Sequence, residues 1–301
     1  MDDNKNSDFD NLAMISSHDI VKVTKMNHIV EVQYMAKMNR SCHIQKLDKD
    51  TYADLHTGEI KSFEHIENRK DSLNSLRQTF KKLRYLINNN FIGSANELHV
   101  VLTYAENMTD TKRLYKDFQN FIDRLRYKFK DKTDIDYLSV VEPQGRGAWH
   151  LHVLMRFNRL EGVYIANNDL FELWGHGFVV VRALKDIDNI GAYLSAYLSD
   201  IEITSENAIS IISHQRTLEI KEITGSDKKI IKGGRLHMYP RDMKLYRASR
   251  GIKAPKREEM LYKDIKKIVG SAKTNYQKEY TVEHDEFFNR IVFHQYNLKR
   301  K

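Results

Sequence analysis

At 301 residues the chain can bury a sizeable core, as one large or two small domains, and its 49 Lys and Arg against 41 Asp and Glu leave a net charge of +8 that favours polyanionic partners. A single cysteine, Cys42, excludes an intrachain disulfide and a cysteine zinc cage, and fits a reducing compartment. No apolar run reaches the length of a membrane span and the start, MDDNKNSDFDN, is acidic and polar, so the expected location is cytoplasmic with no secretory signal.

In chain order, Ile20 to Ala36 is dense in β-branched and apolar residues, and His56-Thr57-Gly58-Glu59 marks a hairpin turn in the lysine-rich, strand-rich stretch that follows. Ser72 is the expected N-cap of a helix whose Leu73, Leu76, Phe80, Leu83 and Ile87 recur at helical spacing and which ends in Asn88-Asn89-Asn90. Arg77, Lys81, Lys82 and Arg84 lie on its other face, a solvated surface or a nucleic-acid contact. ELHVVLTY, residues 97–104, alternates as the first core strand, with Leu98, Val100, Leu102 and Tyr104 on one face and His99, Val101 and Thr103 on the other. Beyond Thr109-Asp110 an amphipathic helix carries Leu114, Phe118, Phe121, Ile122, Leu125 and Phe129, aromatics that keep core spacing.

DIDYLSVVEPQGRGAWHLHVLMRF, residues 134–157, reads as two strands joined by a glycine-rich turn. Trp149, Leu151, Val153, Met155 and Phe157 alternate with His150, His152, Leu154 and Arg156, so both imidazoles share one face. With Arg146 at the tip, Glu142 falls opposite His150, and cross-strand partners share a face. Two imidazoles and a carboxylate suit a divalent ion with coordination positions left open. A His-x-His pair is a weak motif alone; the clean strand and the carboxylate across the turn give it weight.

Asn167 or Asn168 is the expected cap of a short helix through Leu170, Phe171 and Trp174, and Gly175 and Gly177 lead into a strand from Phe178 to Leu184. KDIDNIGAYLSAYLSDIE is again helical, with Tyr193 and Tyr197 four residues apart on one face and Leu194 and Leu198 on a neighbouring stripe. Among 16 tyrosines such a pair can be plain packing. Beside a metal, though, a phenol is a competent nucleophile toward a phosphodiester. Residues 205–240 give no motif. The patch from Tyr239 to Lys256, with Arg241, Lys244, Tyr246, Arg247, Arg250 and Lys253, mixes rings and cations as a single-strand surface does. A helix near Arg257 to Val269 and a hairpin of Tyr276 to Val282 with Ile291 to Tyr296 complete the expectation.

HLH followed by Tyr-x-x-x-Tyr on a downstream helix, after a VVLTY strand, resembles the HUH endonucleases, in the replication-initiator branch where the histidine strand precedes the tyrosine helix. NSLRQTFKKLRYLINNN, LTYAENMTD, VVEPQGRGAWHLHVL and NIGAYLSAYLSD look like the rolling-circle replication (Rep) proteins of Gram-positive plasmids, phages and integrative elements. The resemblance implies an α+β fold, a central antiparallel sheet of about five strands flanked by helices. It implies an N-terminal segment over 1–94, a nuclease core over 95–205 and a basic C-terminal segment over 206–301. His150, His152 and Glu142 would hold Mg²⁺ or Mn²⁺, and Tyr193 and Tyr197 would be the nucleophiles. Arg146, Thr103, Arg182, Lys185, Tyr246 and Arg247 would contact DNA.

Such enzymes nick one strand of a single-stranded or hairpin origin, become joined to the 5′ phosphate through tyrosine, and leave a 3′ hydroxyl to prime synthesis. Many two-tyrosine relatives carry a lysine three residues after a tyrosine, where this chain has Ala196 and Asp200; Lys185 or Arg182 could substitute. With no G-x-x-x-x-G-K-[ST] loop, a separate host helicase and a polymerase are the implied partners. The competing expectations are a non-catalytic basic DNA- or RNA-binding regulator, with the histidines in the core, and a transposase of the same chemistry.

Overall fold

The computed structural model describes residues 15–38, 43–48, 50–63, 73–144, 147–185, 187–199, 201–202, 220–222, 229–231, 235, 238–240, 243–284 and 287–300, with backbone only for 73–77, 196–199, the three short strands between 201 and 231, 284 and 287. The elements begin with β1 (Ile20–Met26), β2 (Ile29–Met35), β3 (Ile44–Lys46), β4 (Thr51–Asp54), β5 (Ile60–Ser62) and α1 (Leu73–Asn90). They continue with β6 (Glu97–Thr103), α2 (Thr111–Phe129), β7 (Ile135–Pro143), β8 (Trp149–Phe157), α3 (Asn167–Trp174), β9 (Val179–Ala183) and α4 (Ile190–Ser199). Then come β10 (Ile201–Glu202), β11 (Ile220–Glu222), β12 (Lys229–Ile231), β13 (Tyr246–Ala248), β14 (Arg257–Leu261), α5 (Ile265–Val269), β15 (Thr274–His284) and β16 (Phe287–Asn297). The chain forms two compact units, one from Met1–Gln45, Asp54–Glu59 and Pro255–Lys301, the other from Lys46–Ala53 and Ile60–Ala254.

The larger unit is built on an antiparallel five-stranded sheet of order β13-β7-β8-β6-β9. Its architecture is α+β, as the sequence leads one to expect. Strand alternation assigns each residue a face. Leu98, Val100, Leu102, Val141, Leu151, Val153, Met155 and Phe157 pack with Leu114, Phe118, Phe121 and Leu125 of α2 and with Leu170 and Trp174 of α3. On the opposite face Leu138, Val140 and Leu154 pack with Leu83, Leu86 and Ile87 of α1 and with Ile190 and Leu194 of α4. Helices thus cover both sides, and β8, the central strand, is buried on both faces.

Local signals explain most boundaries. Asp110 caps α2, its carboxylate accepting from Lys112 N at 2.8 Å and Arg113 N at 3.2 Å. Gly175 closes α3 in the left-handed conformation (φ 71°). The N-cap of α3 corrects the expectation: it is Ala166, without a side-chain hydrogen bond, and both Asn167 and Asn168 lie inside the helix. Burial of Leu170 and Trp174, rather than a cap, decides where that helix sits. Ser72 lies outside the described residues.

In the smaller unit, β14-β1-β2-β16-β15 form a second antiparallel sheet, with Val21, Val23, Val30, Val32 and Tyr296 packed on Ile265. Asn27 takes the left-handed turn between β1 and β2 (φ 54°). The expected Arg257 to Val269 helix is corrected here. Arg257–Leu261 is a strand paired with β1, and only Ile265–Val269 is α-helical. Hydrogen bonding along β1 overrides the helical spacing of Leu261, Ile265 and Ile268, because an open strand edge offers a full ladder of partners. The tail hairpin, β15 with β16, forms as expected. Among the described residues no helix is long and apolar enough to cross a membrane.

Candidate metal and tyrosine site

The site begins with register. Glu142 pairs with His150 across β7 and β8, His150 in turn with Thr103 of β6, and His152 lies between Val140 and Val101. All of these side chains, together with His99 and Arg182, therefore share the sheet face that α1 and α4 cover. Glu142, His150 and His152 each offer a ligand atom, and those atoms lie within 4.8 Å of one another. Glu142 and His152 are buried, at 6% and 7% exposure.

Two further residues hold this cluster. Glu142 accepts from His152 Nε2 through one carboxylate oxygen and from Arg235 through the other, and Arg235 Nη1 also donates to the Pro143 carbonyl at 2.8 Å. Behind His152, its Nδ1 meets Nε2 of His99 at 3.0 Å, with the rings stacked at 22°. His99 is 2% exposed. Burial, then the charges of His152 and Arg182, press its pKa down to about 3, so it is a neutral imidazole.

A carboxylate and two imidazoles on one face form a donor set that suits a divalent ion and leaves positions open, so the residues present fit a metal. Without an ion, hydrogen bonds from His152 and Arg235 satisfy the Glu142 carboxylate.

The tyrosine helix lies over the same face. Tyr193 packs on the apolar cluster that contains Leu138, Val140 and Leu154, and its Oη accepts from Arg182 Nη1 at 3.4 Å. Arg182 lies opposite His99 in the β6–β9 register, so one guanidinium lies beside both the phenol and the buried imidazole. Tyr197 sits one turn further along α4, on a part of the helix where the backbone alone is described. Asn88 of α1 fixes the start of α4, accepting from Gly191 N at 2.8 Å and donating to the Asn189 side chain at 3.0 Å. Tyr104, on the other face, is a contrast: it is buried, donates to Asp117 at 3.0 Å, and its phenol is pushed well above the ordinary range by burial and that carboxylate.

The residues expected to contact DNA scatter. Thr103 and Arg182 flank the cluster, and Lys185 is exposed just beyond β9. Tyr246 is half-buried on the same face, opposite Val140, with its phenol raised by burial. Arg247 points to the other face, its guanidinium 3.6 Å from the ring centroid of Tyr115. Arg146 lies outside the described residues. Within the Tyr239 to Lys256 patch, Tyr239 is buried and donates to the Val141 carbonyl at 3.0 Å, so that ring is core.

Sequence reasoning missed His99 and Arg235. The period-two pattern of β6 puts His99 on the face of Thr103, a signal that the alternation of that strand already carries. Nothing local marks Arg235, which reaches Glu142 across 93 positions.

Residues 97–202 match the sequence model of a family of replication-associated proteins, the ORF2 type. Over that span, about a third of its length, the chain is similar to this family. Its span runs from β6 through β10, includes the elements that bring together Glu142, His150, His152, Arg182 and Tyr193, and ends before Arg235, Tyr246 and Arg247. The match is consistent with a rolling-circle replication initiator. No curated protein and no solved structure gives a significant match.

Proposed function

We propose that the chain is a rolling-circle replication initiator of the HUH type, nicking and rejoining one strand of single-stranded or hairpin origin DNA through a 5′-phosphotyrosine link. The supporting observation is the convergence of Glu142, His150 and His152 within 4.8 Å on the sheet face that α4 covers and whose apolar cluster Tyr193 packs against, inside the family-matched span. In this reading Glu142, His150 and His152 hold the ion, Mg²⁺ or Mn²⁺, which supplies withdrawal of charge from the scissile phosphate.

A tyrosine oxygen of α4, from Tyr193 or Tyr197, forms the new bond to phosphorus. The bond from phosphorus to the 3′ oxygen breaks, and the phenol proton ends on that oxygen as the 3′ hydroxyl. Bond energy is conserved in the phosphotyrosine, so the reverse attack reseals the strand. Arg182, 3.4 Å from the Tyr193 oxygen, stabilises negative charge as the phenol loses its proton. It takes the part for which relatives use a lysine three residues after a tyrosine. Arg235 steadies Glu142 so that the carboxylate keeps one aim. Thr103 and Lys185 line the approach of the DNA backbone, and a host helicase and polymerase act on the opened duplex.

Incubating the protein with a labelled origin oligonucleotide and Mn²⁺ should give a covalent adduct, mapped by mass spectrometry to α4. Tyr193→Phe combined with Tyr197→Phe should abolish it; an adduct that survives in the double variant removes both tyrosines from the reaction.

A further inference from the structure

We infer that His99 is a positioning residue for His152: it accepts the Nδ1 proton of that ring and so fixes the tautomer that presents Nε2 to a metal. The inference rests on the metal reading of Glu142, His150 and His152.

Each contact between two neutral imidazoles uses one N–H and one lone pair. His152 Nε2 faces Glu142, and a ring nitrogen that ligates a cation must offer its lone pair. The proton of the neutral ring then sits on Nδ1 and needs an acceptor. His99 Nε2, 3.0 Å away, fills that need. Its own proton is thereby assigned to Nδ1, a buried atom with no hydrogen bond among the described residues. Leaving a buried N–H unsatisfied is costly, and a chain that only needed to fill this space would do better with an apolar residue. Without an ion the proton pattern reverses. His152 Nε2–H donates to Glu142, and His99 Nε2–H donates to His152 Nδ1. Loading the site therefore shifts one proton within each ring, and the total is unchanged.

The experiment uses the full chain. Mn²⁺ binding is measured by calorimetry on the wild type, His99→Leu, His99→Gln and His150→Ala, and ¹⁵N chemical shifts of His152 are read on the Mg²⁺-loaded wild type. His99→Leu should bind Mn²⁺ about 10- to 100-fold more weakly, the usual scale for losing an outer partner of a ligand. His99→Gln, whose carbonyl can accept the same proton, should recover most of that loss. The His152 shifts should report a proton on Nδ1. Because the shifts come from the wild type, they decide the matter even if His99→Leu does not fold. Two results overturn the role of His99 alone: His150→Ala losing the ion while His99→Leu binds like wild type, or a loaded His152 with its proton on Nε2. Equal Mn²⁺ binding by wild type and His150→Ala overturns the metal reading, and this inference with it.

Discussion

At the scale of single residues, the face that carries the candidate site also carries a second polar cluster at the far end of β7 and β8. Asp136 accepts from Ser249 Oγ at 2.8 Å, Asn158 Nδ2 at 3.0 Å and Arg156 Nη2 at 3.1 Å, and Arg156 continues to the Asn90 carbonyl at the end of α1 at 2.8 Å. Burial pushes the Asp136 carboxyl up, but the three hydrogen bonds outweigh it and hold the group below its ordinary range. A depressed carboxyl stabilises the fold above its unfolded pKa of about 3.9, and that contribution is lost as pH falls through the folded value. Asp136→Asn should therefore cost about 1–3 kcal/mol at pH 7, the range for a charged hydrogen-bond partner that is partly shielded from water, and the gap to wild type should close below about pH 4. Urea denaturation of both proteins across that range checks it; a gap independent of pH would show that the charge is irrelevant. Six residues along a strand separate Asp136 from Glu142, roughly 20 Å, so Mn²⁺ affinity should not change.

At the scale of elements, the placement of Tyr193 depends on how closely α4 approaches α1. A Cβ on Gly191 would lie 2.7 Å from Asn88 Oδ1 and 2.8 Å from the Arg84 carbonyl, so the two helices meet where one of them has no side chain. Gly191→Ala forces α4 outward and carries the tyrosine, two positions later, with it. We expect a stability loss of about 1–3 kcal/mol, typical of an overpacked contact, and a larger fractional loss of covalent adduct, while Mn²⁺ binding by the strand residues persists. Equal adduct yield at saturating DNA would separate the α1–α4 contact from the chemistry. Such contacts are where sequence reasoning stops. The strands and the tyrosine helix are legible because period two and period 3.6 are local, and the Glu142–His150 register follows from a short turn. The approach of Gly191 to Asn88 and the reach of Arg235 to Glu142 join positions about a hundred residues apart, and no local pattern encodes either. The Arg257 stretch failed in the opposite sense: its helical spacing was real, but pairing with β1 claimed its backbone.

At the scale of the whole molecule, two attractions to DNA must be told apart. The net charge of +8 draws any polyanion, and this part weakens as salt displaces it. The cluster of Glu142, His150 and His152 is different in kind: in the proposed reading its acid and imidazoles answer to a bound ion rather than to bulk charge. A purely basic regulator would lose affinity with salt and ignore a chelator. For the initiator proposed here, raising salt from about 50 to 200 mM should weaken binding of an origin oligonucleotide at least tenfold, following the counterion release expected for several phosphate contacts. EDTA should leave most of that binding in place but abolish the covalent adduct, and Mn²⁺ should restore it. Fluorescence anisotropy for binding and denaturing gels for the adduct read the two separately on one sample. An adduct that forms in EDTA would detach the histidine cluster from the chemistry, and binding that vanishes with the ion would mean that the metal, rather than the basic surface, recruits the strand.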